Sequence, residues 1–401
     1  MRLTIYPSKA KGVINAPPSK SIAHRALICG ALSDGCRILN SGESQDVAAT
    51  LRCLSEMGAD VKKVGDEIHV GGLKPETLPE NAVLDCGESA STLRFLLPLC
   101  LLAGRKITLV GHGRLMERPM TVYKDLCLQH GCIFEQKENS ITVCGQLTCG
   151  EYSIPGNVSS QFVTGLLFAL SRITGESTIK VVGKLESAPY VDMTLAVLSA
   201  FGISVQREEN IFIINGNQEF VRSNYQIEGD CSNAAILEAF NLLGGDVKVK
   251  GLTQETPQGD WVYSQLYADL VGGKRTFDLS NCPDLGPVMF ALAAVFGGAN
   301  FTGTSRLRIK ESDRCRSMAE ELAKFGVHVE IGNDSVSILP GELHAPTCEL
   351  FGHNDHRIVM ALSLLCSLTG GTIDGAEAVS KSYPEFFDAI QSLGIAVKPV
   401  L

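Results

Sequence analysis

A helix-like stretch that carries leucine, stops at a glycine and gives way to small and β-branched residues occurs six times in this 401-residue chain, as LSEMGADV, LQHGCIF, LSAFGISV, LYADLVGG, LAKFGVHV and LGIAV. The glycines are Gly58, Gly131, Gly202, Gly272, Gly326 and Gly394, separated by 73, 71, 70, 54 and 68 residues. Each suits the left-handed residue that closes a helix before a strand. A second marker runs in phase with the first: polar residues open into an apolar helix at SKSIAHRALI, ESASTLRFLL, SSQFVTGLLF, DCSNAAILEAF, PDLGPVMFAL and NDHRIVMALSL. Taken at Ser21, Ser91, Ser160, Ser232, Leu285 and Ile358, these starts are 70, 69, 72, 53 and 73 residues apart. Two independent markers with one period and one shared short step imply a repeated supersecondary unit. Between them, EIHVGGL, SITVCGQL, NIFIING and SVSILPG alternate as paired strands do. Each unit is then an α/β module of two helices and several strands, too small to bury its own apolar face. Three units around each of two cores give two similar α/β domains. The break is expected near residues 225–230, with a first strand at residues 2–5 pairing into the second domain. Residues 1–15 and 226–401 would form one domain and residues 16–225 the other.

Composition narrows the partners. With 45% hydrophobic and 20% charged residues, both domains can bury real cores, and the net charge of -9 argues against a general nucleic-acid or anionic-membrane binder. An anionic ligand must therefore meet a local basic cluster. The 14 cysteines include no CxxC pair, so they read as reduced, mostly buried thiols of a cytoplasmic protein, with neither a metal site nor a disulfide framework expected. The longest apolar run, residues 95–103, is interrupted by Pro98 and falls short of the roughly 20 residues that span a bilayer.

The six polar helix starts have chemical consequences beyond folding. A helix N-terminus offers unpaired N–H groups and the positive end of the dipole, which favour anions. Several starts also carry residues that a cap does not need: Lys20 and Arg25 in the first, Ser159, Ser160 and Gln161 in the third, Asp284 in the fifth, and Asp355, His356 and Arg357 in the sixth. Helices oriented alike would turn these ends toward one interdomain region, a site for a multiply charged small anion. The run RIKESDR, residues 308–314, interleaves cations with Glu311 and Asp313. In a helix's first turns Lys310 and Arg314 would share a face, offering anion clamps beside a carboxyl able to give or take a proton.

The runs PPSKSIAHRA, CGESASTLRF, RLMERP, GNVSSQ, SAPY, EGD, QGD, PDLGP, RIKESDR, NDHRI and SKSYPEFF together resemble the EPSP synthase family, in that family's order and from end to end. The resemblance implies an α/β fold of two domains, each of three βαβαββ repeats in an inverse α/β barrel, with the active site in the interdomain cleft. It implies transfer of the enolpyruvyl group of phosphoenolpyruvate to the 5-hydroxyl of shikimate 3-phosphate, by addition and elimination through a tetrahedral intermediate. No cofactor, metal or membrane is implied, and a monomer is expected. Matched motif by motif, Lys20, Ser21, Arg25, Ser159, Ser160, Gln161, Ser187, Tyr190, Asp284 and Lys310 would bind shikimate 3-phosphate. Lys20, Ala90, Arg118, Gln161, Glu311, Arg314, Arg357 and Lys381 would meet phosphoenolpyruvate. Asp284 would be the base toward the 5-hydroxyl, Glu311 the acid that protonates the methylene carbon, and Lys20 would lie near both substrates. Arg forks and compact Lys charges suit a ligand with a carboxylate and a phosphate.

The chain departs from the common pattern where Glu88 and Ala90 stand in place of Asn and Gly. The Ala90 methyl leads us to expect poor sensitivity to glyphosate. Asp355 reads as an N-cap and Asp313 as a structural partner for a neighbouring base. Two alternatives stand beside the main reading. A UDP-N-acetylglucosamine enolpyruvyl transferase would carry a reactive Cys before the Arg-Pro step, where this chain has GHGRLMERP. A non-catalytic anion-binding scaffold could dispense with Glu311 and Asp284.

Overall fold

The computed structural model describes residues 1–400, and its contacts divide the chain into two units, Pro18–Glu228 and Met1–Pro17 with Gly229–Leu401. In Pro18–Glu228 the helices are α1 (Lys20–Leu32), α2 (Gln45–Glu56), α3 (Ala90–Cys100), α4 (Thr121–Gln129), α5 (Ser160–Leu170) and α6 (Ala188–Ala200). Three four-stranded sheets accompany them. In one, Ala82–Asp85 pairs in parallel with Ile107–Val110 across the α3 crossover, and the antiparallel strands Ser140–Cys144 and Ile133–Gln136 complete the sheet. Glu151–Pro155, Glu176–Val182, Ile211–Asn215 and Gln206–Glu208 repeat that order around α5. The third sheet closes through the end of the unit: Asn224–Gln226 lies parallel to Cys36–Leu39, which α1 precedes.

The second unit holds α7 (Cys231–Leu242), α8 (Tyr263–Val271), α9 (Gly286–Val295), α10 (Arg314–Lys324), α11 (His356–Thr369) and α12 (Phe386–Ser392). Around α9 the same four-strand order recurs, from Thr276–Asp278 to Val329–Ile331. Around α11 the chain's own first strand, Arg2–Tyr6, supplies a missing member, antiparallel to both Gly371–Asp374 and Ala396–Pro399. The remaining sheet has two strands, Lys11–Asn15 parallel to Asp246–Lys250. No hairpin follows α8; the chain passes directly into Thr276–Asp278. That missing hairpin is the physical origin of the short step in the sequence period.

Five of the six helix-ending glycines are left-handed, with φ of 97° at Gly58, 68° at Gly131, 83° at Gly202, 84° at Gly326 and 93° at Gly394. The fourth expectation is corrected. Gly272 keeps a helical φ of -68° as the last turn closes, and Gly273 takes the left-handed place at 95°. Either glycine of the pair can reach φ > 0, and the one beyond the cap residue does so.

Each unit has its own apolar core, one from Ile22 to Ile227 and one drawing on Leu3, Ile5 and residues from Ala234 to Val397. The helices that lead between parallel strands are apolar on every side because they are enclosed on every side. In α5 every residue except Gln161 is buried, in α9 every residue except Val295, and α11 is buried from His356 to Ser367. Burying each Leu or Phe of this kind stabilises by about 1.5–3 kcal/mol. Gly165 sets how closely α5 approaches α3, since a Cβ there would lie 2.3 Å from both the Arg94 carbonyl oxygen and Tyr123 Oη. The Tyr123 hydroxyl donates to the carbonyls of Arg94 and Phe162, at 2.8 and 3.1 Å, and ties the two helices together. Any side chain at Gly165 would push apart the N-terminal turns that carry Ala90, Ser91, Ser160 and Gln161. Eleven of the cysteines are buried, and Cys144, Cys149 and Cys348 are partly or fully exposed. Among the described residues no helix is long and apolar enough to cross a membrane.

Candidate active site

Side-chain caps open five of the six repeated helices: Ser19 before α1, Ser89 before α3, Ser159 before α5, Asp230 before α7 and Asp355 before α11. The α9 helix differs, beginning from the 3-10 turn Pro283–Leu285 without a side-chain cap. The Asp284 carboxylate, in that turn, meets cations.

In Pro18–Glu228 the candidate residues form three groups. Lys20, the first residue of α1, pairs with Asp46 in the first turn of α2 at 2.8 Å. Arg25, about one and a half turns further along α1, donates to Thr194 Oγ1 at 2.8 Å and to the carbonyls of Ser21 at 2.6 Å and Tyr190 at 2.9 Å, and lies over the Phe95 ring. Burial among these neutral acceptors draws its guanidinium down to about 10. Gln161 joins the third group: its Nε2 donates to Ser91 Oγ at 3.0 Å, and its Oε1 accepts from Arg94 at 2.8 Å. Arg94 also donates to the Pro119 carbonyl at 2.9 Å, next to the half-buried Arg118. Ser159 accepts from the Gln161 N–H, and Ser160 is buried behind it. Ser187 is left-handed, with φ 55° and ψ 39°, and buried, a strained backbone of the kind that ordered sites retain. Ala90 is the buried first residue of α3.

A buried hydroxyl chain ties these helix starts together: His24 Nδ1 to Thr50 Oγ1 at 2.7 Å, Thr50 to Thr92 at 2.6 Å and Thr92 to Ser89 at 2.8 Å. Burial, reinforced by Lys20 and Arg25, holds the His24 imidazole well below its usual value, so it is neutral.

The second unit gathers its candidates around one guanidinium. Arg314, 1% exposed, makes 2.9 Å contacts through Nη1 to Asp284, through Nη2 to Glu311 and through Nε to Asp355. Burial opposes its charge, but Asp355, Glu311 and Asp284 outweigh burial and hold the guanidinium well above its ordinary value. Asp284 also meets Lys310 at 3.1 Å and Arg357 at 3.9 Å. Burial alone would raise the Asp284 carboxyl; Lys310, Arg314 and Arg357 together hold it well below the carboxylate range. Arg357 reaches Asn233 on α7 at 3.1 Å, so the starts of α7, α9 and α11 meet through Asn233, Arg357 and Asp284. Lys381, buried, donates to the Asn354 carbonyl at 2.7 Å.

The structure therefore assembles Asp284, Lys310, Glu311, Arg314 and Arg357 in one network, with Lys381 joined to it through the backbone. It corrects how RIKESDR achieves this. Residues 305–309 form a 3-10 turn, Lys310 is extended, and α10 begins only at Arg314. Lys310 and Arg314 thus do not share a helical face; the irregular link between them lets both reach the same Asp284 oxygen. Asp313 caps α10, accepting from the Arg316 N–H, and its charge also favours the Arg316 guanidinium. Asp355 is more than the expected cap, because it also takes Arg314 and the Ser312 hydroxyl. Sequence reasoning missed Asp46, Asn233 and the His24–Thr50–Thr92 chain. Asp46, two residues after the cap of α2, carried a weak signal, while the rest read as ordinary helix residues. Among the described residues no group of His, Cys, Asp and Glu could hold a metal ion.

Residues 6–390 match the family described as EPSP synthase (3-phosphoshikimate 1-carboxyvinyltransferase). The 3-phosphoshikimate 1-carboxyvinyltransferase of Clostridium kluyveri is 38% identical over 415 residues, covering 98% of this chain and 97% of the relative. That of Clostridioides difficile is 35% identical over 424 residues, covering 98% and 97%. Among solved structures, EPSP synthase from Acinetobacter baumannii superposes with a TM-score of 0.79 at 24% identity over 99% of each chain. The enolpyruvyl transferase NikO from Streptomyces tendae gives 0.73 at 15% identity, over 99% of this chain and 98% of its own. The fold is the inverse α/β barrel of the enolpyruvyl transferases, built from βαβαββ units. With its motifs in family order, a family match from end to end and relatives above one-third identity, the chain belongs to the EPSP synthase family.

Proposed function

We infer that both units serve one reaction: the chain transfers the enolpyruvyl group of phosphoenolpyruvate to the 5-hydroxyl of shikimate 3-phosphate and releases phosphate, a step of aromatic amino-acid biosynthesis. The observation that carries the assignment of roles is the network in which Arg314 is shared by Asp284, Glu311 and Asp355. A dianionic or trianionic ligand competes with these carboxylates for Arg314, Arg357, Lys310 and Lys381. Asp284, held by three cations, is a poor base until they turn to the ligand; it then becomes able to accept the 5-hydroxyl proton. Glu311 loses its stabilising cation by the same exchange and can carry the proton that goes to the methylene carbon. Lys310 turns to a ring hydroxyl, and Arg314, Arg357 and Lys381 to phosphoenolpyruvate, with Arg118 and Ala90 on the same ligand.

Arg25, Ser21, Ser159, Ser160, Ser187 and Tyr190 carry shikimate 3-phosphate in this reading, and their support is a guanidinium held by neutral groups at a buried helix start. Lys20 and Gln161 serve both ligands. The reaction needs no cofactor, and we place the protein in the cytoplasm as a monomer. The deciding experiment is phosphate release from phosphoenolpyruvate with and without shikimate 3-phosphate. Release that requires shikimate 3-phosphate is expected, and binding without turnover would defeat the enzymatic reading.

The Ala90 methyl, buried at the start of α3, narrows the space beside phosphoenolpyruvate, and we propose that it weakens glyphosate more than the substrate. Ala90→Gly should bind glyphosate at least about tenfold more tightly, equivalent to about 1.4 kcal/mol. Equal inhibition of both proteins would end that proposal.

A further inference from the structure

Behind the network, on the same side of α10, lies another buried carboxylate, whose hydrogen bonds go to none of the residues assigned to substrates. Glu321 stands seven residues, about two turns, after Arg314 and is 1% exposed. Its Oε1 accepts from Lys324 at 2.9 Å and from His353 Nε2 at 2.9 Å, with the ring proton on Nε2 in that arrangement. Its Oε2 accepts from Lys324 at 2.8 Å and from the Phe351 N–H at 2.9 Å. Burial alone would raise this carboxyl; His353, Lys324 and the Phe351 N–H together lower it, so it stays ionised. Lys324 reaches on to the Glu349 carbonyl at 3.0 Å. Glu321 thus holds the end of the strand Leu350–Phe351 and the turn after it directly, and the residue before the strand through Lys324.

The gripped segment is strained. His353 and Asn354, consecutive and neither a glycine, have φ of 51° and 52°. L-residues adopt this conformation at a cost and keep it only where surrounding contacts impose it. The turn itself and the residues just beyond it serve the network: the Asn354 carbonyl receives Lys381, Asp355 holds Arg314 and caps α11, and Arg357 reaches Asp284. A turn that relaxed toward negative φ would rotate the Asn354 carbonyl and displace Asp355 together.

We propose that Glu321 is a positioning residue for the reaction, clamping the left-handed His353–Asn354 turn so that Lys381, Arg314 and Arg357 are presented for phosphoenolpyruvate. The proposal rests on the enolpyruvyl-transfer function inferred for the chain. It makes phosphoenolpyruvate affinity depend on a carboxylate that never meets the ligand, and it affects shikimate 3-phosphate far less, because that ligand's phosphate belongs to Arg25 and its partners on other elements and only its ring hydroxyls meet Asp284 and Lys310.

The test combines kinetics with a readout that needs no turnover. Glu321→Ala should raise the KM for phosphoenolpyruvate at least tenfold, with the Kd for shikimate 3-phosphate within twofold of wild type. Adding His353→Gly to Glu321→Ala should recover much of that KM, since glycine reaches positive φ without strain. Glu321→Gln keeps one carbonyl acceptor and should raise the KM about threefold, a loss that His353→Gly again relieves; this pair decides the matter if the alanine variant does not fold. Hydrogen exchange at the Phe351 and Asp355 amides should be faster in Glu321→Ala or Glu321→Gln than in wild type. The clamp is overturned if both KM values move together, if His353→Gly relieves neither variant, or if amide protection is unchanged. Faster exchange in a protein whose wild type releases no phosphate would instead sink the functional reading and leave the clamp standing.

Discussion

Arg25 and Arg314 are equally buried, at 2% and 1% exposure, yet the two units hold them in opposite ways. Arg25 rests on a hydroxyl and two carbonyls, all neutral, and its guanidinium is drawn down to about 10. Arg314 rests on three carboxylates and is held well above its ordinary value. Burial is common to both, so the charge of the partners makes the difference. A guanidinium among neutral acceptors keeps its positive potential for an incoming phosphate. One among carboxylates is neutralised until an anion competes for it, and the competition alters the carboxylates as well. The first arrangement suits binding, and the second suits chemistry that needs proton transfer at a chosen moment.

The sharpest way to break this contrast is Asp355→Ala. It takes one of three carboxylates from a buried guanidinium and removes a helix cap, and should cost about 2–4 kcal/mol of stability in urea unfolding at neutral pH. A loss below about 1 kcal/mol would mean that Arg314 does not depend on its carboxylates. Next in size is Glu311→Gln, which should slow phosphate release by about 100-fold or more while calorimetry still detects both ligands. Near wild-type turnover would remove Glu311 from the mechanism.

On the other unit, Arg25→Ala should weaken shikimate 3-phosphate by about 10- to 100-fold, as expected for charge-assisted hydrogen bonds worth about 1.5–3 kcal/mol, and leave the KM for phosphoenolpyruvate nearly unchanged. An unchanged Kd for shikimate 3-phosphate would reject that contact. The smallest effect is one of pH. The folded Asp284 carboxyl lies below the unfolded value of about 3.9, so its stabilisation is complete above that value and is lost as pH falls through the folded value. Asp284→Asn should therefore flatten the acid limb of stability, and Arg25→Ala should leave it in place. Equal flattening by both would erase the distinction between the units.

Much of the architecture was legible because backbone chemistry is local. A glycine reaching positive φ, a serine or aspartate capping a helix and an alternating strand each leave a mark within a few residues. The marks repeat, and even the missing hairpin after α8 registered as a short step. The exception, Gly272 against Gly273, arose because two adjacent glycines can both end a helix and only the completed turn selects one. Motifs pointed to the residues that the network around Arg314 brings together. The helical geometry assumed for RIKESDR was not, because Ser305–Ile309 and the extended Lys310 interrupt the helix before Arg314.

Partnership is what only the tertiary structure decided. Lys20 finds Asp46 at a separation of 26 residues, Arg314 finds Asp355 at 41, and Arg357 finds Asn233 at 124. Such pairs depend on which helix starts the sheets bring side by side, and on a close approach such as that of α5 to α3 at Gly165. The sequence by itself determined the six-unit α/β plan, the capped helix starts and the kinds of charge they carry, because each arises from neighbours along the chain. The fold decided which of those charges face neutral groups and which face carboxylates. That decision sets the electrostatic character of Arg25 apart from that of Arg314, because electrostatic interactions depend on distance and burial in space and not on order in the chain.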